Sequence, residues 1–216
     1  MPSFEELYLD IGASSRKEAE KLAPRGRYAY FDTDFFGFGD GFVKGKAIDD
    51  RAGCLIMIDM INGEPEYDAW YAFTVQEEIG ARGAKAAAFT IAPDIAIVLE
   101  TTTACDIAEV SGAKKVCELG KGAVVSYMDR GTVYDRKLFS LAFETAKTNG
   151  IPVRTKTLIA GGNDSGSIHV SRNGVRTCAI SVPCRYLHSP SCVIKESDFN
   201  AVKLLAEKML SAAAEL

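Results

Sequence analysis

The stretch that most constrains this chain is an apolar run that ends abruptly in two adjacent carboxylates. Residues 69–75 (Ala-Trp-Tyr-Ala-Phe-Thr-Val) have the β-branched and aromatic content of a buried strand, and Glu77 and Glu78 follow almost at once. Two carboxylates at the end of a buried strand are unfavourable to desolvate unless a cation pairs with them. A divalent metal ion is such a partner, with one carboxylate as ligand and its neighbour as a base. The alternative is a solvated acidic pair beside Arg82.

Composition and charge exclude several classes of function. With 216 residues, 47% of them hydrophobic, the chain is long enough to bury one sizeable core. Its 25 basic and 29 acidic residues argue against a nucleic-acid-binding or acidic-membrane surface. No apolar run approaches the roughly 18–20 residues that span a bilayer, and residues 1–6 do not resemble a signal peptide. The six scattered cysteines form no Cys-x-x-Cys pair, so we expect free thiols in a cytoplasmic protein.

The order of the predicted elements indicates the fold class. Strands over 69–75 and 95–99 alternate with helices, and this rhythm predicts an α/β fold with a mixed, mostly parallel sheet and helices on both faces. In such sheets, ligands bind beyond the carboxyl ends of the strands. Glu100 directly follows the apolar run 95–99, so we expect it at that edge of the sheet.

Two further groups stand at the ends of predicted elements. Asp49 and Asp50 precede an apolar helix, and His188 follows a strand in a Tyr-Leu-His-Ser-Pro turn. Each has a plain explanation, because an aspartate at a helix start is commonly a cap and a single loop histidine is commonly a surface residue. Together with Glu78 and Glu100, they favour a catalytic metal site. The other histidine of the chain, at 169, is interpreted as a packing residue inside a short helix.

Four motifs occur in one order along the chain. They are Lys-Ala-Ile-Asp-Asp-Arg-x-Gly at 46–53, Phe-Thr-Val-Gln-Glu-Glu-x-Gly-x-Arg-Gly at 73–83, Gly-Gly-Asn-Asp-Ser-Gly-x-Ile-His at 161–169 and Arg-Tyr-x-His-Ser-Pro at 185–190. With them the chain resembles the glutamyl-aminopeptidase family of dinuclear metallopeptidases, the tetrahedral aminopeptidases, some members of which carry the name endoglucanase. The resemblance extends from Leu7 to the last predicted helix and implies a zinc-exopeptidase-like fold.

The resemblance implies a set of metal ligands. Asp49 would bridge two divalent ions, zinc or cobalt, and its peptide bond to Asp50 would be cis. Glu78 and His188 would complete one metal site. Glu100 would serve the other site, where many relatives have aspartate.

The resemblance also implies how peptides are cleaved. Glu77 would be the general base, taking a proton from the attacking water and passing it to the leaving amine. The substrates would be short peptides, whose free amino terminus restricts cleavage to the first bond. The residues that would support the site or bind the substrate are Asp50, Gly161, Gly162 and Asp164.

The chain departs from the family at its N-terminal side. Relatives carry a segment with a His-x-Asp motif whose histidine ligates the second metal, and this chain has no histidine before His169. We therefore expect at most one tightly bound metal ion and impaired peptidase activity. Residues 1–45 are interpreted as the remnant of an inserted β-domain, and 46–216 as a metallopeptidase domain without its N-terminal part. A dodecamer like that of relatives is in doubt, but a homo-oligomer is expected because lost strands expose an apolar sheet edge.

Two other functions stay open from the sequence. A non-catalytic subunit of the same fold would explain the missing metal ligand. A glycoside hydrolase, suggested by the endoglucanase name, would need two carboxylates about 5–9.5 Å apart and no metal. In that case His188 and the aspartate pair would have no role. A serine hydrolase is discarded because the chain has no Gly-x-Ser-x-Gly motif.

Overall fold

The computed structural model describes residues 3–216 and divides the chain into two compact units, Met1–Asp32 and Thr33–Leu216. The first unit contains a short 3₁₀ helix (Phe4–Glu6) and helix α1 (Arg16–Leu22). The Ser15 side chain caps α1 by accepting a hydrogen bond from the Glu18 backbone N–H at 3.3 Å. Serine is favoured at this position because it satisfies an N–H that has no partner within the helix.

The second unit alternates strands and helices. Their order is β1 (Phe36–Phe38), β2 (Phe42–Gly45), α2 (Ile48–Asn62), α3 (Arg82–Ile91), β3 (Ile95–Thr103), β4 (Ala123–Val125), α4 (Arg136–Thr148), β5 (Val153–Arg154), α5 (Ser165–Ile168), β6 (Arg176–Cys184), β7 (Cys192–Lys195) and α6 (Glu196–Ala214). A second 3₁₀ helix (Gly112–Lys115) lies between β3 and β4. Of the helices in residues 3–216, none is long and apolar enough to cross a membrane.

The strands of the second unit form two sheets. A small antiparallel sheet has the order β1-β2-β7, and a four-stranded sheet has the order β3-β6-β4-β5. In the larger sheet β3 runs parallel to β6, β4 runs antiparallel to β6, and β4 runs parallel to β5. The prediction of an α/β fold with a mixed sheet is therefore confirmed.

The hydrophobic core joins the larger sheet to its helices. Helix α6 buries residues at helical spacing (Val202, Leu205, Ala206, Met209 and Ala213), so one apolar stripe of the helix faces inwards. Ile180 of β6, Leu138 of α4 and Ile56 of α2 are fully buried in the same cluster. Burial of each large aliphatic side chain stabilises the fold by about 1.5–3 kcal/mol.

The prediction of a buried strand over 69–75 is wrong. This stretch, segment 69–75, forms no strand and belongs to neither sheet, and most of its residues are exposed, with Trp70 81% exposed and Val75 67% exposed. The local composition suits a strand, but no strand of the described residues pairs with it through backbone hydrogen bonds.

The apolar run over 95–99 does form a strand, with one difference from expectation. β3 continues to Thr103, so Glu100 lies within the strand and not beyond its end. Residues 95–100 are also only half-buried, whereas β6 is buried along almost its whole length. The reason is position in the sheet, because β3 is an edge strand and β6 is central.

Candidate metal centre

Three side chains from separate parts of the chain converge at one point. His188 Nε2 lies 3.1 Å from Asp49 Oδ2 and 3.3 Å from Glu78 Oε2. One ligand atom of each residue lies within 4.8 Å of the other two. Two carboxylates and one imidazole suit a divalent cation such as zinc, which accepts oxygen and nitrogen ligands. The side chains of Glu78 and His188 are exposed by 59% and 62%, so the cluster is open to solvent.

Asp49 is positioned where helix α2 begins. The peptide bond between Asp49 and Asp50 is cis, and both residues have non-helical backbone angles although they lie within the helix bounds. The Thr101 hydroxyl, on β3, donates a hydrogen bond to Asp49 Oδ1 at 2.9 Å. Since Oδ2 faces His188, the two oxygens of Asp49 are oriented towards different partners.

Asp50 supports the start of α2. Its Oδ1 accepts a hydrogen bond from the Gly53 backbone N–H at 2.9 Å. A Cβ at position 53 would lie 2.4 Å from Asp50 Oδ2 and 2.6 Å from the Leu99 carbonyl oxygen, so glycine is required there. Burial raises the pKa of Asp50 to about 9.

Glu77 and Glu78 lie in a tight turn between segment 69–75 and α3. The Glu77 carbonyl accepts hydrogen bonds from the backbone N–H groups of Gly80 at 3.0 Å and Ala81 at 2.9 Å. The Gly83 N–H donates to the Val75 carbonyl at 2.9 Å. A Cβ at position 83 would lie 2.4 Å from that same oxygen, so the close approach needs glycine.

The carboxyl group of Glu77 lies in a strongly acidic environment. Burial raises its pKa to about 7, and the negative charges of Asp164, Glu78 and Asp49 add to the effect, while His188 opposes it.

The loop that carries His188 is anchored on both sides. Arg185, next to the end of β6, exchanges backbone hydrogen bonds with Val193 and holds Asp106 with two side-chain bonds of 2.7 and 2.8 Å. Within the loop, Tyr186 and His188 have positive φ angles, and the Ser189 N–H donates to the Tyr186 carbonyl at 3.0 Å. The imidazole is therefore presented from a fixed turn.

Glu100 lies outside the three-residue cluster, in a polar network of its own. Its Oε1 accepts hydrogen bonds from Asn163 Nδ2 at 2.8 Å and from the Ser181 hydroxyl at 3.2 Å. Burial raises its pKa to about 8, although Lys156 and the Asn163 bond oppose the shift. The charge of Asp49 contributes to the same shift.

Three residues near the site were not predicted from the sequence: Asn163, Thr101 and Ser181. Asn163 Nδ2 also donates to the Tyr134 hydroxyl at 2.8 Å, and that hydroxyl donates to Asp129. Asn163 lies in the Gly-Gly-Asn-Asp motif, and this motif could have identified it as a site residue. Ser181 and Thr101 lie inside strands that carry no motif.

The other predicted supporting residues lie in the loop before α5. The Gly161 carbonyl accepts a hydrogen bond from the Arg130 N–H at 2.8 Å, and Gly162 lines the same groove as the cluster. Asp164 Oδ2 accepts a hydrogen bond from the Thr74 hydroxyl at 2.5 Å, which connects this loop to segment 69–75. His169 is not among the three clustered ligands, and its Nδ1 lies 2.7 Å from the Ser165 carbonyl oxygen.

Sequence comparison finds aminopeptidases. The family model of the M42 glutamyl aminopeptidases matches residues 1–205. A putative aminopeptidase of Acetivibrio thermocellus is 42% identical over 205 residues, which are 94% of this chain and 61% of that protein. The lysyl aminopeptidase of Pyrococcus furiosus is 35% identical over 211 residues, 96% of this chain and 60% of that protein. The chain thus spans about 60% of the length of these relatives.

Structural comparison finds similar proteins. An aminopeptidase from the archaeon Desulfurococcus kamchatkensis matches with a TM-score of 0.90 and 33% identity, over 96% of this chain and 59% of that one. The TET1 peptidase of Pyrococcus horikoshii, described as assembling into a tetrahedron or a large octahedral shell, matches with a TM-score of 0.79 and 31% identity, over 93% and 59%. A Thermotoga maritima protein named endoglucanase matches with a TM-score of 0.66 and 34% identity, over 84% and 54%.

Proposed function

Because this chain belongs to the M42 glutamyl aminopeptidase family, we propose that it carries the metal-dependent site of an aminopeptidase that removes N-terminal residues from short peptides. The observation that supports the proposal best is the convergence of Asp49, Glu78 and His188 within 4.8 Å of one another. Three protein ligands with an open side are typical of catalytic sites, because the substrate needs the remaining position.

The residues of the cluster have separate roles in this proposal. Asp49, Glu78 and His188 would hold a divalent cation, zinc or cobalt, which when bound would polarise the carbonyl group of the scissile peptide. Glu77 lines the same groove as the ligands, and this supports a role as general base. It would accept the proton of the attacking water and deliver it to the leaving amine.

A second cation would have fewer ligands from this chain. Asp49 and Glu100 would share it, but one oxygen of Glu100 already accepts two hydrogen bonds, from Asn163 and Ser181. We therefore propose one tightly held cation and weak peptidase activity for this chain by itself.

Further expectations remain proposals. Residues 1–45 would be the remnant of an inserted β-domain and 46–216 the metallopeptidase domain. A homo-oligomer is proposed because relatives such as the TET1 peptidase form closed shells. The cytoplasmic location expected from the scattered cysteines also stays a prediction.

A non-catalytic subunit of the same fold is the second candidate function. The two-residue ligand set of the second site, Asp49 and Glu100, is the observation that favours it. A glycoside hydrolase gains no such support, because a histidine between two carboxylates has no role in the two-carboxylate mechanism.

Hydrolysis of fluorogenic aminoacyl-coumarin amides tests the proposal. With zinc or cobalt added we expect slow release of the fluorophore, loss of that release with EDTA, and a decrease of about 10²–10⁴-fold in Glu77→Gln. Unchanged rates in Glu77→Gln, or rates that survive EDTA, would contradict the aminopeptidase. Cation binding without any hydrolysis would favour the non-catalytic subunit, and a rate equal to that of a longer relative would contradict the proposed impairment.

A further inference from the structure

Two buried cysteines lie on either side of the loop that carries His188. Cys184 is the last residue of β6, and Cys192 is the first residue of β7. The two backbones meet where Arg185 and Val193 exchange hydrogen bonds of 2.8 and 3.1 Å. This ladder is antiparallel, so the cysteines occupy diagonal positions on one face of it. Their side chains therefore project to the same side.

The two thiols contact each other. The Cys184 thiol donates a hydrogen bond to the Cys192 sulfur, and this bond lowers the pKa of Cys192 while it raises the pKa of Cys184. The thiolate is the reactive form of cysteine, so Cys192 is the nucleophile of the pair. Neither residue is more than 1% exposed, so only a small oxidant can reach the sulfurs.

The Cys192 sulfur also contacts two elements that carry ligands of the proposed cation site. It lies 3.6 Å from the Tyr186 carbonyl oxygen and 3.8 Å from the Ser189 carbonyl oxygen, within reach of its S–H. These carbonyl groups stand on either side of the histidine of the cluster. The same sulfur is hydrogen-bonded by the backbone N–H of Ile48, which precedes the aspartate of the cluster. A change at this sulfur is therefore transmitted to two ligands.

We propose that Cys184 and Cys192 are a redox-sensitive pair whose oxidation to a disulfide weakens cation binding at Asp49, Glu78 and His188. The inference rests on the proposed cation site, but the formation of the disulfide does not depend on it. Disulfides in reducing compartments are usually transient and redox-sensing, and a contact pair beside a metal site suits that use.

The oxidant of this reaction is a hydroperoxide, with hydrogen peroxide as the smallest example. The Cys192 thiolate attacks one peroxide oxygen and becomes a sulfenic acid, and the other oxygen leaves as water after taking up a proton. The Cys184 sulfur then attacks the Cys192 sulfur, which releases the hydroxyl group as a second water. In total the two thiols lose two electrons and two protons, and the peroxide becomes two waters.

The disulfide weakens the site because it moves the turn before β7. Diagonal residues of an antiparallel pair have Cα atoms about 7–8 Å apart, whereas a disulfide usually joins Cα atoms about 4.4–6.8 Å apart. Cys184 is fixed in the central, buried strand β6, so the movement falls on Cys192 and the turn. The disulfide also removes the S–H that bonds to the turn. Both changes displace His188 from the other ligands.

Tryptic peptide mapping without reduction shows whether the disulfide forms. Trypsin cuts after lysine and arginine, so a disulfide between Cys184 and Cys192 joins the peptides 177–185 and 186–195. The full chain is treated with equimolar hydrogen peroxide in metal-free form. We expect the joined peptide to appear on treatment and to disappear on reduction.

A background without the half-buried thiols makes this reading clean. Cys54→Ser and Cys105→Ser remove the two cysteines that are not fully buried, so the peroxide is not consumed there. Cys178→Ser is the matched control, because Cys178 is also buried in β6 and lies in the same tryptic peptide as Cys184. The joined peptide should persist in Cys178→Ser and be absent in Cys184→Ser.

Calorimetric titration with cobalt, after the peroxide has been removed, measures the effect on the site. Loss of two weak S–H contacts corresponds to a decrease in affinity of about five- to thirtyfold in the oxidised chain. Reduction with a phosphine, which is removed before the titration, should restore the affinity of the untreated chain. The same peroxide treatment should change the affinity of Cys184→Ser less than twofold.

Three results would overturn the proposal. They are absence of the joined peptide, an unchanged cobalt affinity in the oxidised chain, and an equal loss of affinity in peroxide-treated Cys184→Ser. Failure of the proposed cation site is a different result, because the untreated, reduced chain would then bind no cobalt. That result would overturn the redox control together with the site, whereas a missing joined peptide in a chain that binds cobalt overturns the redox pair alone.

Discussion

Replacing Asn163 by alanine removes a side chain that joins three polar groups beside the candidate site. Asn163 Nδ2 donates to Glu100 Oε1 and to the Tyr134 hydroxyl, each at 2.8 Å, and Asn163 Oδ1 accepts from the Ser165 N–H at 2.8 Å. The residue is only 8% exposed, so water has little access to the groups that would be left without it. We expect Asn163→Ala to destabilise the metal-free protein.

The magnitude follows from the number of bonds lost. Each hydrogen bond contributes about 0.5–1.5 kcal/mol, so the loss of three predicts a destabilisation of about 1.5–4.5 kcal/mol. Ser181→Ala removes one bond to the same carboxyl group and should cost about 1 kcal/mol. The ratio of the two effects, near three to one, is a sharper expectation than either value.

Urea unfolding of metal-free protein measures these differences, because the free energy of unfolding follows from the midpoint and the slope of the transition. Asn149→Ala is the matched control, since Asn149 Nδ2 makes a single bond, to the Thr145 carbonyl at the end of α4. It should cost no more than Ser181→Ala. If Asn163→Ala costs no more than Ser181→Ala, the network around Glu100 does not hold the loop before α5, and the reasoning fails.

Two further predictions concern a helix cap and a glycine. Hydrogen bonds from Arg176 lower the pKa of Asp135 in the folded protein. The ionised carboxylate of Asp135 therefore stabilises the fold fully above its unfolded pKa of about 3.9. This stabilisation is lost as the pH falls through the lower folded-state pKa. Asp135→Asn keeps the cap on α4 and should lose about 0.2–1 kcal/mol of stability at pH 7. Urea unfolding should show this gap closing as the pH falls through the lowered pKa of Asp135. Gly83→Ala places a Cβ 2.4 Å from the Val75 carbonyl oxygen and should displace the Glu77–Glu78 turn, costing about 1–3 kcal/mol in urea unfolding. Its cobalt affinity should fall at least tenfold in calorimetric titration.

Each of these predictions has its own control. A stability gap between wild type and Asp135→Asn that stays constant from pH 7 to pH 2.5 would contradict the role of the charge. For the glycine, Gly166→Ala is the comparison, because a Cβ there meets nothing closer than 3.8 Å. Equal loss of cobalt affinity in Gly83→Ala and Gly166→Ala would show that the close approach to Val75 does not position the turn.

The sequence predicted the mixed α/β fold because long apolar runs alternate with helical patterns. It also singled out Asp49, Glu78 and His188, which the structure brings together, because each stands in a motif at the end of an element. It failed at 69–75, since composition reports a local preference for extended backbone, while membership of a sheet depends on neighbours elsewhere in the chain.

The partners of Glu100 were beyond the reach of sequence patterns. Asn163 is 63 residues away in the chain and Ser181 is 81 residues away, and neither spacing has a periodicity that a local pattern detects. Glu100 was also predicted just beyond the end of the strand, whereas it lies within β3. The apolar run ends at residue 99, but threonines continue the strand to Thr103 because β-branched side chains suit a sheet as well as aliphatic ones do.

Calorimetric titration of the metal-free chain with cobalt tests the central claim most directly. We predict one tightly bound ion per chain, an affinity at least a hundredfold lower in His188→Gln, and an unchanged affinity in His169→Gln, whose imidazole bonds to the Ser165 carbonyl away from the cluster. Full cobalt affinity in His188→Gln, or an equal loss in both histidine variants, would contradict a cation site at Asp49, Glu78 and His188.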